Sequence, residues 1–341
     1  MVNMGLVDVG GILVYAWSDA GSEELERRER IGEENRQWVA RLAPLVFGHY
    51  AWIEGEIAVA QRAGTGIFVA PRLGLSARHV SRSYEQLDDQ FDAIRRRMTV
   101  FDSKYAHRLV EGTKFSTQVY QLEPGYDRPE MGGGPLMYPS PNSADSTVDV
   151  DLSSPDTDIA TLRTHPVSAG AAENEKRQQF FEWQMMPPPV GSQVLIFGLP
   201  GKLIMNHGDR HTVGFWVKGD VARVVSQSPV ARDCGQCSFP GFTLDQEFDF
   251  GMSGAAVFYN DALVGIFCGR KYVASLWPLA LHTYIDSKED RTRGPMADLF
   301  DSGQIHVRDW LDIKGRVERV PCVETGLEDP CSKEHVVLRT S

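Results

Sequence analysis

Apolar residues along most of this chain occur in short runs that are separated by glycine, proline and polar turn residues. The texture begins at residue 56 with EIAVAQRAGTGIFVAPRLGLSARHV, and it returns later in SQVLIFGLPG, KLIMNHGDRHTVGFWVKGDVARVV and DFGMSGAAVFYNDALVGIFCG. Many short β-prone runs joined by turns are typical of barrels or sandwiches and not of alternating βα units. The pattern therefore predicts an all-β protein.

Two segments depart from this β pattern and have helical features. Residues 22–42 are polar, begin at a plausible N-cap, Ser22, and predict a helix that is solvated or faces a partner. Residues 84–97 place Leu87, Phe91 and Ile94 at helical spacing. Together with a possible C-terminal helix within 296–313, they predict a few helices at the periphery of the β body.

Shifts in composition divide the chain. Residues 124–156 are rich in Pro, Gly, Ser and Asp and predict a long surface excursion with a short β-like stretch at 148–152. The sequence SAGAAENEKRQQFFEWQMMPPP reads as a polar linker. The predicted division is an N-terminal helical extension (1–50), a first β lobe that contains the excursion (51–185), a second β lobe (186–290) and a C-terminal helix and tail (291–341).

Composition and charge restrict the class of partner. Acidic residues outnumber basic ones by 46 to 35, and no block of five or six Lys and Arg residues occurs, which argues against nucleic acid or an anionic membrane as a partner. The chain has no run of 18 apolar residues and no positively charged leader, so we expect no membrane span and no secretory signal. Five cysteines in 341 residues do not resemble a disulfide framework, so we expect a reducing, cytoplasmic location.

Three short stretches carry candidate chemistry. His79 follows a strand-like run, Asp158 opens another one, and Ser253 lies between Gly251 and Gly254 just before a third. A serine hydroxyl is a weak nucleophile, so it needs an imidazole that takes its proton and a carboxylate that holds this imidazole in the correct tautomer. Each residue alone has an ordinary structural interpretation as a turn or strand-end residue; only the three together favour catalysis.

In residue type and in chain order, these stretches resemble the motifs of the chymotrypsin-like (trypsin-like) serine peptidase family. The likeness extends over about residues 53–282 without the excursion, and it includes Phe197-Gly198-Leu199-Pro200 and Leu263-Val264-Gly265-Ile266. It implies two packed, six-stranded antiparallel β-barrels with a few peripheral helices and an active site in the cleft between them.

The resemblance also implies roles for the site residues. His79, Asp158 and Ser253 would form the triad of a serine endopeptidase that acts through an acyl-enzyme and needs no cofactor. The backbone N–H groups of Gly251 and Ser253 would form the oxyanion hole, for which Gly251 offers a conformation that a side chain would hinder.

Two positions bear on control and specificity. Met252 stands where many family members carry an acid that pairs with a new N-terminus, so we expect control by substrate access, by a partner protein or by the 22–42 helix. Glu247 lies six residues before the serine, where a carboxylate in trypsin-like members favours a basic substrate side chain. This position predicts cleavage of a protein or peptide after Arg or Lys.

The sequence has three alternative interpretations besides a serine peptidase. An α/β-hydrolase elbow would need glycine where Ala255 stands, and it would enter a helix, whereas the sequence here predicts a hairpin. A catalytically silent, protease-like binding module, with the cleft blocked by the excursion or by the N-terminal helix, is the runner-up. A structural zinc could use four candidate ligands, although their order is unusual and we expect no metal: His207, His211, Cys234 and Cys237.

Overall fold

Strands dominate the computed structural model, which confirms the predicted all-β class. The structure describes residues 4–9, 12–17, 44–53, 56–82, 115–124, 136–139, 146–151, 157–166, 180–198, 203–205, 213–216, 218–233, 237–248, 251–285, 293–321 and 334–339. The helices predicted at 22–42 and 84–97 lie outside these residues. The predicted N-terminal extension contains a hairpin of β1 (Met4–Val9) and β2 (Ile12–Trp17).

The first lobe is a nine-stranded antiparallel sheet. Its strands are β3 (Pro44–Ile53), β4 (Glu56–Ala70), β5 (Leu73–Ala77), β6 (Phe115–Pro124), β7 (Leu136–Pro139), β8 (Ser146–Asp151), β9 (Ile159–Pro166), β11 (Leu203–Met205) and β12 (Val213–Trp216). Their order in space is β11-β12-β7-β6-β3-β4-β5-β9-β8. The predicted excursion therefore contains two strands, β7 and β8. Strand β8 pairs along its full length with β9. The β11–β12 hairpin, predicted for the second lobe, joins this sheet through β7.

The second lobe is a closed barrel of six antiparallel strands, as the resemblance implied. These strands are β10 (Gln193–Gly198), β13 (Lys218–Asp233), β14 (Cys237–Leu244), β15 (Ala256–Tyr259), β16 (Ala262–Gly269) and β17 (Tyr272–Ser275). Side chains that alternate along the strands fill its interior, since successive residues of a strand point to opposite faces. This cluster comprises Val194, Ile196, Ala222, Val224, Phe242, Leu244, Met252, Ala255, Val257, Val264, Phe267 and Val273.

A second, larger apolar cluster joins the two lobes. It contains Phe68 and Leu75 of the first lobe together with Ile266 and Cys268 of the barrel, all of them buried. Strand β16 contacts β5 directly. The last residues of β5 and of β16 are therefore brought to the same side of the shared core.

The segment at 180–186 is part of the folded body, although its composition predicted a linker. Phe181, Trp183 and Met185 alternate with polar residues and are buried. The backbone of Trp183 forms parallel bridges to Leu263 of β16 and to Val307. Because every second side chain faces the core, the segment behaves as an additional strand that fastens the C-terminal region to the barrel.

Short elements complete the C-terminal region. A 3-10 helix covers Trp277–Leu281, and it is followed by the hairpin of β18 (Thr283–Ile285) and β19 (Arg293–Pro295). The helices α2 (Met296–Asp301) and α3 (Trp310–Ile313) lie where a C-terminal helix was predicted, and β20 (Val317–Pro321) pairs with β21 (Glu334–Leu338). Within the described part of the chain, no helix has the length and apolar character needed to cross a membrane.

One buried histidine makes the stability of this region depend on pH. His282 is 2% exposed, and its Nε2 atom has no hydrogen-bond partner among the residues that the structure describes. Burial, together with the positive charges of Arg319 and Arg78, lowers the pKa of His282 to about 3. The folded state therefore keeps this ring neutral at pH values where the unfolded chain, with a pKa near 6.5, already binds a proton.

Stability from His282 should accordingly be present above about pH 6.5 and be lost as the pH falls toward 3. We expect the free energy of unfolding to drop by about 1 kcal/mol per pH unit in this range through His282 alone. Denaturant unfolding of the wild type and of His282→Gln between pH 7 and 4.5 measures the difference. Parallel pH profiles of the two proteins would contradict this assignment.

Candidate active site

His79 and Asp158 are joined by two hydrogen bonds. The Nδ1 atom of His79 lies 2.6 Å from Oδ2 of Asp158, and the backbone N–H of His79 donates to Oδ1 at 2.9 Å. The imidazole is 42% exposed, whereas the carboxylate is only 12% exposed. An ionised carboxylate can only accept, so Nδ1 carries the hydrogen and Nε2 is left as the basic atom. The contact with Asp158 thus fixes the orientation and the tautomer of the imidazole ring.

The register of two strands produces this pairing. Strands β5 and β9 are antiparallel, and the last residue of β5, Ala77, lies opposite the first residue of β9, Ile159. One residue further, the backbone N–H of Arg78 donates to the carbonyl of Asp158 at 2.8 Å. The chain then enters the short helix α1 (Arg78–Arg82), in which His79 lies next to the carboxylate of Asp158. The register of β5 and β9 therefore brings His79 and Asp158 together, although they are 79 residues apart in the sequence.

Ser253 lies in a tight turn that leads into β15 of the barrel. Gly251 and Gly254 have φ angles of +92° and +88°, a region that L-residues with side chains rarely adopt. Within the turn, the N–H of Ala255 donates to the carbonyl of Met252 at 2.8 Å. The N–H of Gly254 donates to the carbonyl of Phe267 in β16 at 2.7 Å. The two glycines therefore allow a turn that is fixed to the barrel from one side.

The Ser253 turn and the His79 segment meet around glycines. A Cβ atom added to Gly64 would lie 2.6 Å from a methyl carbon of Val80 and 2.8 Å from the carbonyl oxygen of Ser253. Val80 directly follows His79, so both candidate catalytic segments pack against this one glycine of β4. On the other side, a Cβ atom added to Gly269 would lie 3.5 Å from Oγ of Ser253. Small residues thus let three backbone segments approach the serine.

Cys268 links the Asp158 segment to the barrel. Its buried thiol donates to the carbonyl of Ile266 at 3.3 Å, and it lies 3.9 Å from the carbonyl of Asp158. Because Gly269 follows immediately, the end of β16 contacts both the Asp158 side and the Ser253 side of the site. No local pattern around Cys268 could have revealed this, since its contact spans 110 residues.

Met252 faces away from solvent at the base of the turn. Its side chain is 1% exposed and belongs to the barrel core, where a Cβ atom added to Gly198 would lie 3.2 Å from its Sδ and Cε atoms. A thioether in this apolar surrounding needs no ionic partner. The turn therefore receives apolar support from below in place of an ion pair.

Glu247, the residue predicted to bind a basic substrate group, is exposed and lies just after β14. The N–H of the next residue, Phe248, donates to the carbonyl of Arg270 at 2.9 Å. The Phe248 ring packs edge-on against Phe267, with 5.3 Å between ring centroids. The structure thus places Glu247 between two residues, Leu244 and Phe248, whose backbones bond to the β16–β17 turn, and this turn contains the basic residues Arg270 and Lys271.

The zinc candidates fall largely outside the residues that the structure describes. His207, His211 and Cys234 lie in the gaps between described ranges, and Cys237 begins β14. Across the described ranges, no group of three or more His, Cys, Asp or Glu side chains is arranged to hold a metal ion. The zinc site remains a possibility raised by the sequence alone.

No family model and no curated protein matches the chain, whereas many solved structures do. The Rv3671c protease in an inactive form is 16% identical, with 71% of this chain and 88% of that chain covered and a TM-score of 0.35. The MamO protease domain from Magnetospirillum magneticum is 13% identical, with 70% and 94% covered and a TM-score of 0.38. The scabies mite inactivated protease paralogue S-I1 is 16% identical, with 71% and 90% covered and a TM-score of 0.36. At identities of 16% or less and TM-scores below 0.4, the likeness concerns the fold alone.

Proposed function

We propose that the protein is a serine endopeptidase in which Ser253 is the nucleophile, His79 the general base and Asp158 the residue that orients the imidazole. The observation that carries the proposal is the 2.6 Å contact between Nδ1 of His79 and Oδ2 of Asp158, together with the packing of Val80, which follows His79, and of the Ser253 carbonyl around Gly64. A hydrogen-bonded acid and imidazole next to a serine between two positive-φ glycines is the arrangement that nucleophilic catalysis requires.

The chemistry proceeds in two halves. Oγ of Ser253 attacks the scissile carbonyl carbon while its proton passes to Nε2 of His79, and the oxyanion that forms accepts hydrogen bonds from the N–H groups of Gly251 and Ser253. Collapse breaks the C–N bond, and His79 gives the proton to the leaving amine. Water then attacks the acyl-enzyme with His79 again as the base, which releases the acid and restores Ser253.

Covalent labelling tests this proposal. We expect a peptidyl organophosphonate to add one phosphonyl group per chain, and Ser253→Ala to abolish the adduct because it removes the hydroxyl that is proposed to attack. Intact mass spectrometry measures the adduct, and peptide mapping locates it. Ser302→Ala is a matched control, since the hydroxyl of Ser302 already donates to the carbonyl of Leu299 and should not react.

The same experiment separates the two candidate functions. A wild-type protein that stays unlabelled under all conditions would favour the silent, protease-like binding module. A label that persists in Ser253→Ala would place the reactive group elsewhere and contradict the triad.

Substrate choice is a finer proposal. A preference for Arg or Lys rests on the carboxylate of Glu247, whereas the charges of Arg270 and Lys271 in the neighbouring turn favour acidic groups. Cleavage profiles on a diverse peptide library decide between them: loss of basic preference in Glu247→Gln would support Glu247, and an unchanged profile would exclude it. Control by a partner protein, proposed because Met252 replaces the acid, is tested by repeating the profile with candidate partners.

A further inference from the structure

Thr65 of β4 occupies the junction between the two lobes. It is fully buried, and it is two residues before Ile67, which pairs with Leu75 of β5. Its own carbonyl accepts a hydrogen bond from the hydroxyl of Ser76 at 2.6 Å. Thr65 is thereby fixed to the strand that leads directly to His79.

From this position Thr65 makes two hydrogen bonds to the turn that carries Ser253. Its backbone N–H donates to the carbonyl of Ser253 at 2.7 Å. Its hydroxyl donates to the carbonyl of Gly251 at 3.2 Å. One buried residue of the first lobe therefore holds the second lobe's turn on both sides of Met252.

These bonds restrict the backbone of the turn at Gly251 and Ser253. Gly251 has a φ of +92° and no side chain, so no Cβ atom limits its backbone. The carbonyl of Met252, between the two that Thr65 holds, accepts from Ala255 at 2.8 Å. Three consecutive carbonyls are thus fixed, and because each peptide unit is planar, a fixed carbonyl also fixes the direction of the N–H that follows it.

We propose that its hydroxyl makes Thr65 a positioning residue for catalysis: by holding the carbonyl of Gly251, it fixes the Gly251–Met252 peptide unit, which lies between the two N–H groups, those of Gly251 and Ser253, that receive the oxyanion. This inference rests on the proposed peptidase function. Thr65 touches no reacting atom; it acts through Gly251. A backbone bond alone would serve to dock the lobes, whereas the side-chain bond adds a restraint that only Thr or Ser at this position can supply.

Thr65→Val removes the hydroxyl and keeps the shape of the side chain. We expect kcat on a peptide amide to fall about tenfold, less than the 100-fold to 1000-fold that follows the loss of a whole oxyanion donor, because the donors stay present but lose order. KM should change less than about twofold, since ground-state binding is untouched. The affinity for a peptide trifluoromethyl ketone, whose adduct carries an oxyanion, should fall by the same factor as kcat.

Two variants separate positioning from general damage. Thr65→Ser keeps the hydroxyl and should restore kcat and inhibitor affinity to within about threefold of the wild type. Thr161→Val makes the same chemical change at another buried threonine, in β9 of the same lobe, and should leave kcat of the folded protein unchanged. Equal kcat and inhibitor affinity in Thr65→Val and the wild type would overturn the proposal.

Amide hydrogen exchange of residues 251–254 tests the inference even if the wild type proves to be no peptidase. Loss of the hydroxyl should speed exchange in this segment about tenfold in Thr65→Val and not in Thr65→Ser. Unchanged exchange would overturn the positioning role, and an equal rise across the whole barrel would do so as well, because it would show general unfolding. An unlabelled wild type with locally faster exchange in Thr65→Val would instead overturn the peptidase function and its catalytic part, while the structural restraint would stand.

Discussion

Replacing Asp158 with Asn should lower kcat by about 10,000-fold while leaving the fold intact. The reason is visible in the two acceptors of this carboxylate: Oδ1 takes the backbone N–H of His79, and Oδ2 faces Nδ1 of the ring. An amide has only one acceptor oxygen, and the backbone N–H will keep it, because the opposite orientation would set the amide NH2 against that N–H. The NH2 group then donates to Nδ1, which moves the ring hydrogen to Nε2 and removes the basic nitrogen that the proposed mechanism requires.

Steady-state hydrolysis of a peptide amide measures this effect, and thermal unfolding checks the fold. Asp309→Asn is the matched control, since the two oxygens of Asp309 also accept two backbone N–H groups, those of Met185 and Met186, each at 2.8 Å. This control should lose about 1 kcal/mol of stability and keep its kcat. A kcat for Asp158→Asn within threefold of the wild type would rule out the assigned role of Asp158.

Replacing Gly254 with Ala should destabilise the protein by about 4 kcal/mol or more and remove labelling of Ser253. The added Cβ atom would lie 1.7 Å from the carbonyl oxygen of Thr65 and 2.7 Å from the hydroxyl of Ser76. No side-chain rotation can relieve this clash, because a Cβ position is set by the backbone. Either the turn withdraws from the first lobe, or β4 moves away, and both take Ser253 out of position.

Gly191→Ala separates the clash from the cost of a positive φ angle. Gly191 has a φ of +90°, close to the +88° of Gly254, but no atom lies within 4 Å of the added Cβ. It should lose only about 1 to 2 kcal/mol. Denaturant unfolding of both variants measures the two losses of stability. Equal losses would show that Gly254 does not pack closely against Thr65 and Ser76.

Local pattern predicted the residue types of the site, but not the contacts that hold them. His79, Asp158 and Ser253 stood out because each lies at the end or the beginning of an apolar run in a familiar order. Thr65 did not, because its partner in the turn is 186 residues away and nothing near it in sequence signals that contact. Long-range strand register, which sequence periodicity cannot supply, decides such contacts.

The segment at 180–186 shows a different limit of sequence reasoning. The alternation of Phe181, Trp183 and Met185 was present in the sequence, but the polar residues before it and the three prolines after it favoured a linker. Burial of these side chains against the barrel and the C-terminal region outweighed the local composition. In the same way, residues 124–156 were dominated by turn formers, yet β8 gains a strand partner in β9.

The bond between Thr65 and Gly251 also bears on the order in which the protein is completed as it leaves the ribosome. The lobe that contains Thr65 is synthesised first, and the turn around Ser253 emerges 186 residues later. Until then the chain has an imidazole with its acid and no hydroxyl for them to act on. When the barrel folds, it packs against a first lobe in which the N–H and the hydroxyl of Thr65 are already positioned to donate to the Ser253 turn. The proposed catalytic site would therefore be completed in the same step in which the two lobes assemble.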